Sequence, residues 1–248
     1  MFIDTHLHIN QEDSTKIVEE AQEHGVSKLI VSGCDKNGIE NVLNLINQYD
    51  NVFATIGFHP SEVDNIVEDD FSWLEYIIKN NKKIIGVGEI GLDYYYGKDN
   101  QEEQIKLFDR QLQLAEKLNL PVVIHTREAF QDTYNILKKY QLKGIIHCFS
   151  GSLEVASLYI NLGYYLGIGG VVTFKNSNLP RVIESIPMES IVLETDSPYL
   201  SPEPYRGKEN SPKNIPIIAE KISVIKKISP KDVEKITYNN VVRLFDLK

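Results

Sequence analysis

Several features that would assign a function class at once are missing or nearly missing from this sequence. Only two cysteines, Cys34 and Cys148, occur in 248 residues, and without CxxC spacing they indicate buried reduced thiols rather than a metal site. No apolar run approaches the roughly 20 residues of a membrane-spanning helix. The chain opens without a basic segment followed by a long apolar one, so we expect no signal peptide, no membrane partner and a cytoplasmic location.

Positive charge is also scarce. The 26 Lys and Arg residues are outnumbered by 35 Asp and Glu residues, which gives a formal net charge of -9. This balance argues against a protein that coats nucleic acid through a broad basic surface. It does not argue against a single nucleic-acid site, because bound divalent cations can supply the local positive charge that the side chains lack.

Strand and helix signals alternate along the whole chain. Short apolar runs predict strands, and residues at helical spacing, such as Ile39, Val42 and Ile46, predict helices between them. The predicted strands cover 2–8, 28–34, 52–58, a run from 84 to 89, 121–125, 144–149, 164–168 and 191–196.

Eight strands separated by helices in about 250 residues indicate an α/β fold, a (β/α)8 TIM barrel. We expect one domain over residues 1–248. An open, doubly wound sheet is the alternative, but it usually carries a glycine-rich phosphate fingerprint after its first strand, where this chain has histidines.

One carboxylate stands out against the apolar strands. The residues from Ile84 to Val87 indicate a buried parallel strand, and Glu89 follows among glycines, where we expect the strand to open into a loop. An ionised carboxylate there has to be paired, protonated or bound to a metal ion, because its desolvation is otherwise prohibitive. A buried salt bridge and a metal site are both open at this point.

Further metal-binding residue types stand at the ends of predicted strands. His6 and His8 lie two apart on one strand, so their side chains share a face with Cα atoms roughly 6.6 Å apart. The other candidates each follow a different strand, and these strand ends meet at one mouth in a barrel. The full set is His6, His8, Glu89, His125, His147 and Asp196.

Each of these residues alone is ordinarily a hydrogen-bonded core or rim residue, and Asp196 could also be a helix cap. Together, four imidazoles and two carboxylates exceed the needs of one tetrahedral ion. They suit two divalent ions that share a carboxylate. The set therefore predicts a metal centre at the mouth of the barrel.

Six short motifs lie along the whole chain, in the order FIDTHLH, IGFHP, GEIGLDYYY, VVIHTREA, HCFSG and ETDSPYL. Together they resemble the TatD family of metal-dependent hydrolases. The resemblance implies a TIM barrel of the metal-dependent amidohydrolase type, a two-metal centre and deoxyribonuclease activity, as a 3'-to-5' exonuclease. By motif position it implies that His6 and His8 hold one ion with Asp196, that His125 and His147 hold the other, and that Glu89 bridges the two.

The chemistry of such a centre assigns catalytic roles to two of these residues. Two ions can lower the pKa of a water that they share towards about 7, so that it attacks as a bridging hydroxide, and can clamp the attacking and leaving oxygens at phosphorus. Asp196 is then the expected proton acceptor, and Glu89 fixes the spacing of the ions. The ligands are compatible with Mg, Mn, Zn, Ni or Co.

Four residues outside the metal set are candidates for substrate binding. Arg127, Lys175 and Arg206 could hold phosphate oxygens, with exposed salt bridges as the alternative, and His59 could contact substrate or make only a rim hydrogen bond. The tyrosines at 94–96 could stack on a base or simply pack on the rim. Glu194 shares the strand face of Asp196 at greater depth, which favours a structural or supporting role.

The expected partner is DNA, as single strands or frayed ends, because an acidic surface disfavours binding to a long duplex. A small phosphoester, lactone, amide or aminoacyl-tRNA ester is the alternative substrate for the same centre. A barrel that keeps its metal for stability alone is a third, non-catalytic possibility. The sequence does not indicate an oligomeric state.

Overall fold

A computed structural model of the chain describes residues 1–95, 97 and 99–247. In this part of the chain, eight parallel strands follow one another in sequence order around a barrel, and helices cover its outside. The strands are β1 (Phe2–Leu7), β2 (Val26–Gly33), β3 (Val52–Ile56), β4 (Ile84–Asp93), β5 (Val122–Arg127), β6 (Gly144–Ile146), β7 (Tyr165–Ile168) and β8 (Ile191–Leu193). The predicted (β/α)8 barrel is confirmed.

The helices follow the strands and begin at capping residues in several places. Asp35 accepts a hydrogen bond from the Gly38 N–H at 2.7 Å where α2 begins, and Ser229 accepts one from the Asp232 N–H at 3.1 Å where α9 begins. The helices are α1 (Ser14–Glu23), α2 (Lys36–Gln48), α3 (Glu68–Asn80), α4 (Gln101–Leu118), α5 (Phe130–Leu137), α6 (Leu153–Asn161), α7 (Leu179–Ser185), α8 (Ile215–Lys226) and α9 (Pro230–Phe245). Among the described residues, none of these helices combines the length and the apolar character needed to cross a membrane.

The barrel interior is apolar at its amino-terminal end. One inward residue from each strand forms a layer there, and α9 packs beneath it through Val241, Leu244 and Phe245. The layer consists of Ile3, Ile30, Phe53, Ile85, Val123, Ile145, Tyr165 and Val192. Because side chains alternate along a strand, residues two positions further on face the same interior, and on β5 and just after β6 these are His125 and His147. The polar site therefore lies directly above an apolar floor.

Five strands end earlier than the sequence predicts, β2 by one residue and β3 by two. β6 stops at Ile146 and β8 at Leu193, so His147 and Asp196 lie on the connections that follow, and β1 stops one residue before His8. Cys148 and Asp196 have φ values of 48° and 54°, which are incompatible with a β-strand. The backbone turns at these residues, and the turns end the strands.

β4 is longer than predicted. It continues to Asp93, so Glu89 lies inside the strand and not at the start of a loop. The pairing of β4 with β5 is irregular between Val87 and Ile90, and the Gly88–Glu89 peptide bond is cis. The glycines that suggested a loop therefore belong to an irregular strand.

Candidate metal centre

Glu89 lies between two pairs of histidines. Its Oε2 atom is 3.5 Å from His6 Nε2 and 3.8 Å from His8 Nε2. Its Oε1 atom is 2.8 Å from His125 Nδ1 and 3.0 Å from His147 Nε2. Each oxygen of one carboxylate therefore faces a separate imidazole pair, which is the arrangement expected of a bridging ligand.

Asp196 completes one side of this arrangement. Its Oδ1 atom is 3.7 Å from the Nε2 atoms of both His6 and His8. We use position A for the space bounded by these two histidines, Asp196 and Glu89 Oε2, and position B for the space bounded by His125, His147 and Glu89 Oε1. His6, His8 and Glu89 form one group whose ligand atoms could hold an ion, and Glu89, His125 and His147 form another.

Unpaired nitrogens indicate that the donor set suits a metal ion. His6 is fully buried, and neither of its ring nitrogens has a hydrogen-bond partner among the described residues. A buried polar atom without a partner costs about 1 to 3 kcal/mol. An ion in position A would satisfy His6 Nε2, and imidazole nitrogens with carboxylate oxygens are suitable ligands for a divalent cation.

Glu89 and the histidines around it stabilise one another's charged forms. Burial opposes the charged form of Glu89, but the surrounding histidines, first His147 and then His6, hold its pKa well below the usual range. Burial likewise opposes the charged form of His147, but Glu89 and Glu194 raise its pKa well above the ordinary value. The proton on His147 therefore balances the charge of Glu89, and a metal ion bound in position B would displace that proton.

Position A differs from position B in its protonation. Burial, together with the neighbouring His6, lowers the pKa of His8 to about 4, so its ring is neutral near pH 7. Burial raises the pKa of Asp196 above its ordinary value. A neutral imidazole with a free nitrogen lone pair is the form that binds a metal.

Glycines allow β4 and β5 to approach closely beside the centre. A Cβ atom at Gly91 would lie 1.9 Å from the carbonyl oxygen of His125, and one at Gly88 would lie 2.7 Å from Val123 Cβ. Gly91 also has a φ of 149°, a conformation that other residues rarely adopt. Small residues at these positions let His125 lie beside Glu89.

Comparisons with known proteins identify the family. A family model described as TatD related DNase matches residues 3–246. The chain belongs to the TatD family. An uncharacterized metal-dependent hydrolase of Bacillus subtilis, YabD, is 38% identical over 253 residues, which cover 99% of each chain. The crystal structure of YjjV, a TatD homologue from Escherichia coli, has a TM-score of 0.93 at 30% identity and covers 100% of this chain and 98% of its own. The protein is therefore a metal-dependent hydrolase of the TatD family.

A more distant relative supports the architecture alone. The structure of an uncharacterized amidohydrolase from Saccharomyces cerevisiae has a TM-score of 0.85 at 18% identity and covers 98% of this chain and 99% of its own. At this identity the likeness shows the fold and not the activity. This chain and the Saccharomyces cerevisiae protein therefore share the TIM-barrel fold.

His59 lies at the edge of the centre in a defined tautomer. Its Nε2 atom is 3.8 Å from Glu89 Oε1, and its Nδ1 atom accepts a hydrogen bond from the backbone N–H of Ser61 at 3.1 Å. Burial lowers the pKa of His59 to about 4, so the ring is neutral and carries its single proton on Nε2. His59 therefore directs an N–H donor, not a lone pair, towards the metal centre.

The predicted phosphate-binding cations differ in their surroundings. The guanidinium carbon of Arg127 lies 3.6 Å from the centre of the Tyr95 ring, and that of Arg206 lies 4.2 Å from the centre of the Phe174 ring. Both arginines rest on aromatic faces, which fixes their planes. Lys175 is exposed, and no described contact ties it to the centre.

The tyrosine cluster divides into different environments. The Tyr94 hydroxyl donates to Asp132 at 3.0 Å and the ring is buried, so Tyr94 packs on the rim. Tyr95 is 52% exposed beneath Arg127. Tyr96 lies outside the described residues. Only Tyr95 of this cluster is described with a face that a base could reach.

Two residues beside the centre were missed from the sequence. The Cys34 thiol donates to Glu89 Oε2 at 3.4 Å, and burial raises its pKa well above the ordinary value. Asp93 Oδ2 lies 3.2 Å from His125 Nε2. Asp93 stands four residues after Glu89 on the same strand, so strand periodicity offered a signal for it. Cys34 is the last residue of the predicted second strand, so the strand-end rule that selected the metal ligands offered a signal for it as well.

Glu194 lies behind His147, as its position in the sequence suggests. Its Oε1 atom accepts the backbone N–H of Cys148 at 2.5 Å and lies 3.6 Å from His147 Nδ1. This second distance exceeds that of a hydrogen bond. Glu194 therefore holds the turn after β6 and places its charge beneath His147.

Proposed function

We propose that this protein is a divalent-metal-dependent deoxyribonuclease that hydrolyses phosphodiester bonds with one ion in position A and one in position B. The observation that carries the proposal is Glu89, whose two oxygens face two separate histidine pairs. Two ions that share a carboxylate are suited to displacement at phosphorus, because they contact the attacking and the leaving oxygen together. The metal ligands in this proposal are His6, His8, Glu89, His125, His147 and Asp196.

Asp196 is the proposed general base. When bound, the two ions would supply the charge that acidifies the attacking water. Asp196 joins position A and accepts the proton of that water. Glu89 sets the separation of the two positions.

His59 and the cations at the mouth are the proposed substrate contacts. The Nε2–H group of His59 is placed to donate to a phosphate oxygen beside Glu89. Arg127 and Arg206, on their aromatic supports, would pair with phosphates in bidentate fashion. Lys175 would add a point charge further out. These cations would supply positive charge for phosphate groups although the net charge of the chain is -9.

Exposed aromatic rings favour single strands or frayed ends over duplex. Tyr199 is 62% exposed with its ring 6.3 Å from that of His8, and Tyr95 is 52% exposed beside Arg127. Unpaired bases stack on such rings, whereas paired bases cannot reach them. We therefore propose a 3'-to-5' exonuclease that takes the end of one strand into the mouth.

The test is hydrolysis of oligonucleotides labelled at the 5' end, single-stranded and duplex, by chelator-treated protein with Mg or Mn restored. Wild type should shorten the single strand stepwise from its 3' end. Asp196→Asn should be slower by about 10²- to 10⁴-fold, the usual contribution of a general base. Asp69→Asn, an exposed change on α3, is the matched control and should cleave normally.

A substrate panel run beside this assay separates the alternatives. It contains a small phosphoester, a lactone, an amide and an aminoacyl-tRNA. Metal-dependent turnover of one of these by wild type, with no cleavage of DNA under any metal, would overturn the nuclease proposal. DNA cleavage that survives Asp196→Asn would overturn the role of Asp196.

A further inference from the structure

We propose that Asp93 is a positioning residue that orients His125 for the ion in position B by fixing which ring nitrogen carries the proton. The inference rests on the proposed function, because it requires position B to hold an ion. It concerns a carboxylate that is outside the set of ligands proposed above.

The two nitrogens of His125 face different groups. Nδ1 lies 2.8 Å from Glu89 Oε1 and 3.4 Å from His147 Nε2, so it points into position B. Nε2 lies 3.2 Å from Asp93 Oδ2 on the opposite side of the ring. Without an ion, both ring nitrogens of His125 face a carboxylate oxygen. An ion in position B would take the Nδ1 side of the ring, and Asp93, whose ionised carboxylate only accepts hydrogen bonds, then keeps the proton on Nε2. That tautomer leaves the lone pair on Nδ1, where a metal would bind.

Asp93 is itself held rigidly. Its Oδ1 atom accepts the backbone N–H of Tyr95 at 2.9 Å, which leaves Oδ2 for His125. Its backbone N–H donates to Gln104 Oε1 at 2.9 Å, and its carbonyl accepts from Gln104 Nε2 at 3.0 Å. Gln104 is a buried residue of α4. The orientation of His125 is therefore tied through Asp93 to a helix of the outer layer.

The other histidine of position B is held differently. His147 Nδ1 has no hydrogen-bond partner among the described residues, since Glu194 Oε1 is 3.6 Å away and accepts from Cys148. Of the two position B histidines, His125 is thus the one with a carboxylate at hydrogen-bond distance from its outer nitrogen. Removing Asp93 would free the His125 ring to adopt the other tautomer.

A separate metal site is the competing interpretation of the same atoms. His59, Asp93 and His125 lie close enough together to hold an ion. However, the Ser61 N–H donates to His59 Nδ1 at 3.1 Å, and an imidazole that accepts at Nδ1 carries its proton on Nε2, with no lone pair for a metal at that atom. His125 would also have to lose both ring protons to bind ions through both nitrogens. A hydrogen bond from His125 Nε2–H to Asp93 requires neither a lone pair on His59 Nε2 nor the loss of both protons from His125.

The test is calorimetric titration of the chelator-stripped full-length protein with Mn²⁺. Wild type should bind two ions. Asp93→Ala should weaken one of them by about 10- to 100-fold, the usual effect of losing a carboxylate behind a metal-binding histidine, and leave the other unchanged. Asp93→Asn keeps an oxygen acceptor and should retain more of the affinity than Asp93→Ala. Asp132→Ala, which removes the partner of Tyr94 on the same rim, should bind both ions normally.

A direct measurement of the tautomer avoids dependence on a variant that fails to fold. Long-range proton–nitrogen correlation NMR of the Zn²⁺-loaded wild type should show His125 protonated at Nε2. Protonation of His125 at Nδ1 would overturn the proposal. So would an Asp93→Ala variant that binds both Mn²⁺ ions with the wild-type affinities. Three ions bound by wild type and two by Asp93→Ala would make Asp93 a ligand and overturn it as well. Two bound ions without DNA cleavage would count against the nuclease proposal alone.

Discussion

Glu89 determines whether positions A and B act as one centre. Its side chain is buried, and its oxygens face His6 and His8 on one side and His125 and His147 on the other. Glu89→Gln keeps the shape but replaces one oxygen with an amide nitrogen that cannot bind a metal. Mn²⁺ titration should show at least one ion weakened by more than the roughly 10- to 100-fold caused by losing an outer partner.

A surface glutamate supplies the control for this loss of charge. Glu75, on α3 outside the barrel, pairs with Lys79 at 2.6 Å and with Lys117 at 2.8 Å. Glu75→Gln should bind both ions as wild type does. Unchanged binding of both ions by Glu89→Gln would contradict a bridging role.

At the scale of single residues, the sequence identified the side chains that lie together at the metal centre but not the contacts that orient them. His6, His125 and Asp196 lie close to the carboxyl ends of β1, β5 and β8, and a barrel brings these ends together whatever the details of packing. The contact of Cys34 with Glu89 depends on the relation of β2 to β4, which strand periodicity does not contain. The tautomer of His59 depends on one backbone N–H of Ser61, which no motif records.

At the scale of elements, the close approach of β4 and β5 shapes position B. Gly91→Ala would place a methyl group 1.9 Å from the His125 carbonyl oxygen, at a φ of 149° that also strains an alanine. We expect a loss of about 2 to 6 kcal/mol in the free energy of unfolding, from overpacking and backbone strain together. Urea unfolding of chelator-treated protein measures it.

Gly163→Ala separates the backbone strain from the clash. Gly163 also has a positive φ, of 89°, but an added Cβ there meets no described atom within 4 Å. Gly163→Ala should lower the free energy of unfolding by about 1 to 2 kcal/mol, the contribution of backbone strain alone. Equal losses in the two variants would show that the approach of the strands is not what requires Gly91.

The same glycines explain why the prediction of strand ends was uneven. Gly88 and Gly91 were interpreted as the start of a loop, whereas they permit an irregular strand to continue to Asp93. Conversely, β6 and β8 end early because Cys148 and Asp196 adopt positive φ values. Hydrophobic patterns predict which residues are buried, but they carry no information on the φ of a single non-glycine residue.

At the scale of the whole molecule, the barrel closes between β1 and β8 with few backbone contacts. A single parallel bridge joins Leu7 to Ser197 among the described residues. Asp4 strengthens the closure, because its carboxyl group accepts the Thr195 N–H at 3.0 Å and the Thr195 hydroxyl at 2.5 Å. The closure brings His6 to Asp196, whose N–H donates to the His6 carbonyl at 2.9 Å.

Asp4 makes the stability of this closure depend on pH. Burial is the main cause that raises its pKa to about 8, from an ordinary value of 3.8, so the folded chain holds a proton that the unfolded chain has released. The contribution of Asp4 to the free energy of unfolding is fully present below pH 3.8. It declines as the pH rises to about 8, by at most about 1.4 kcal/mol per pH unit. Asp4→Asn resembles the protonated form, accepts the same N–H bond and does not titrate.

The comparison of Asp4→Asn with wild type isolates this one titration, because all other groups are common to both proteins. Urea unfolding with chelator at pH 6, 7, 8 and 9 should show the variant gaining stability relative to wild type up to about pH 8 and then levelling off. A constant difference across this range would show that Asp4 is ionised throughout in the folded protein. Its carboxylate would then hold β8 through charge-assisted hydrogen bonds to Thr195, and the closure of the barrel would strengthen, not weaken, as the pH rises through the ordinary aspartate range.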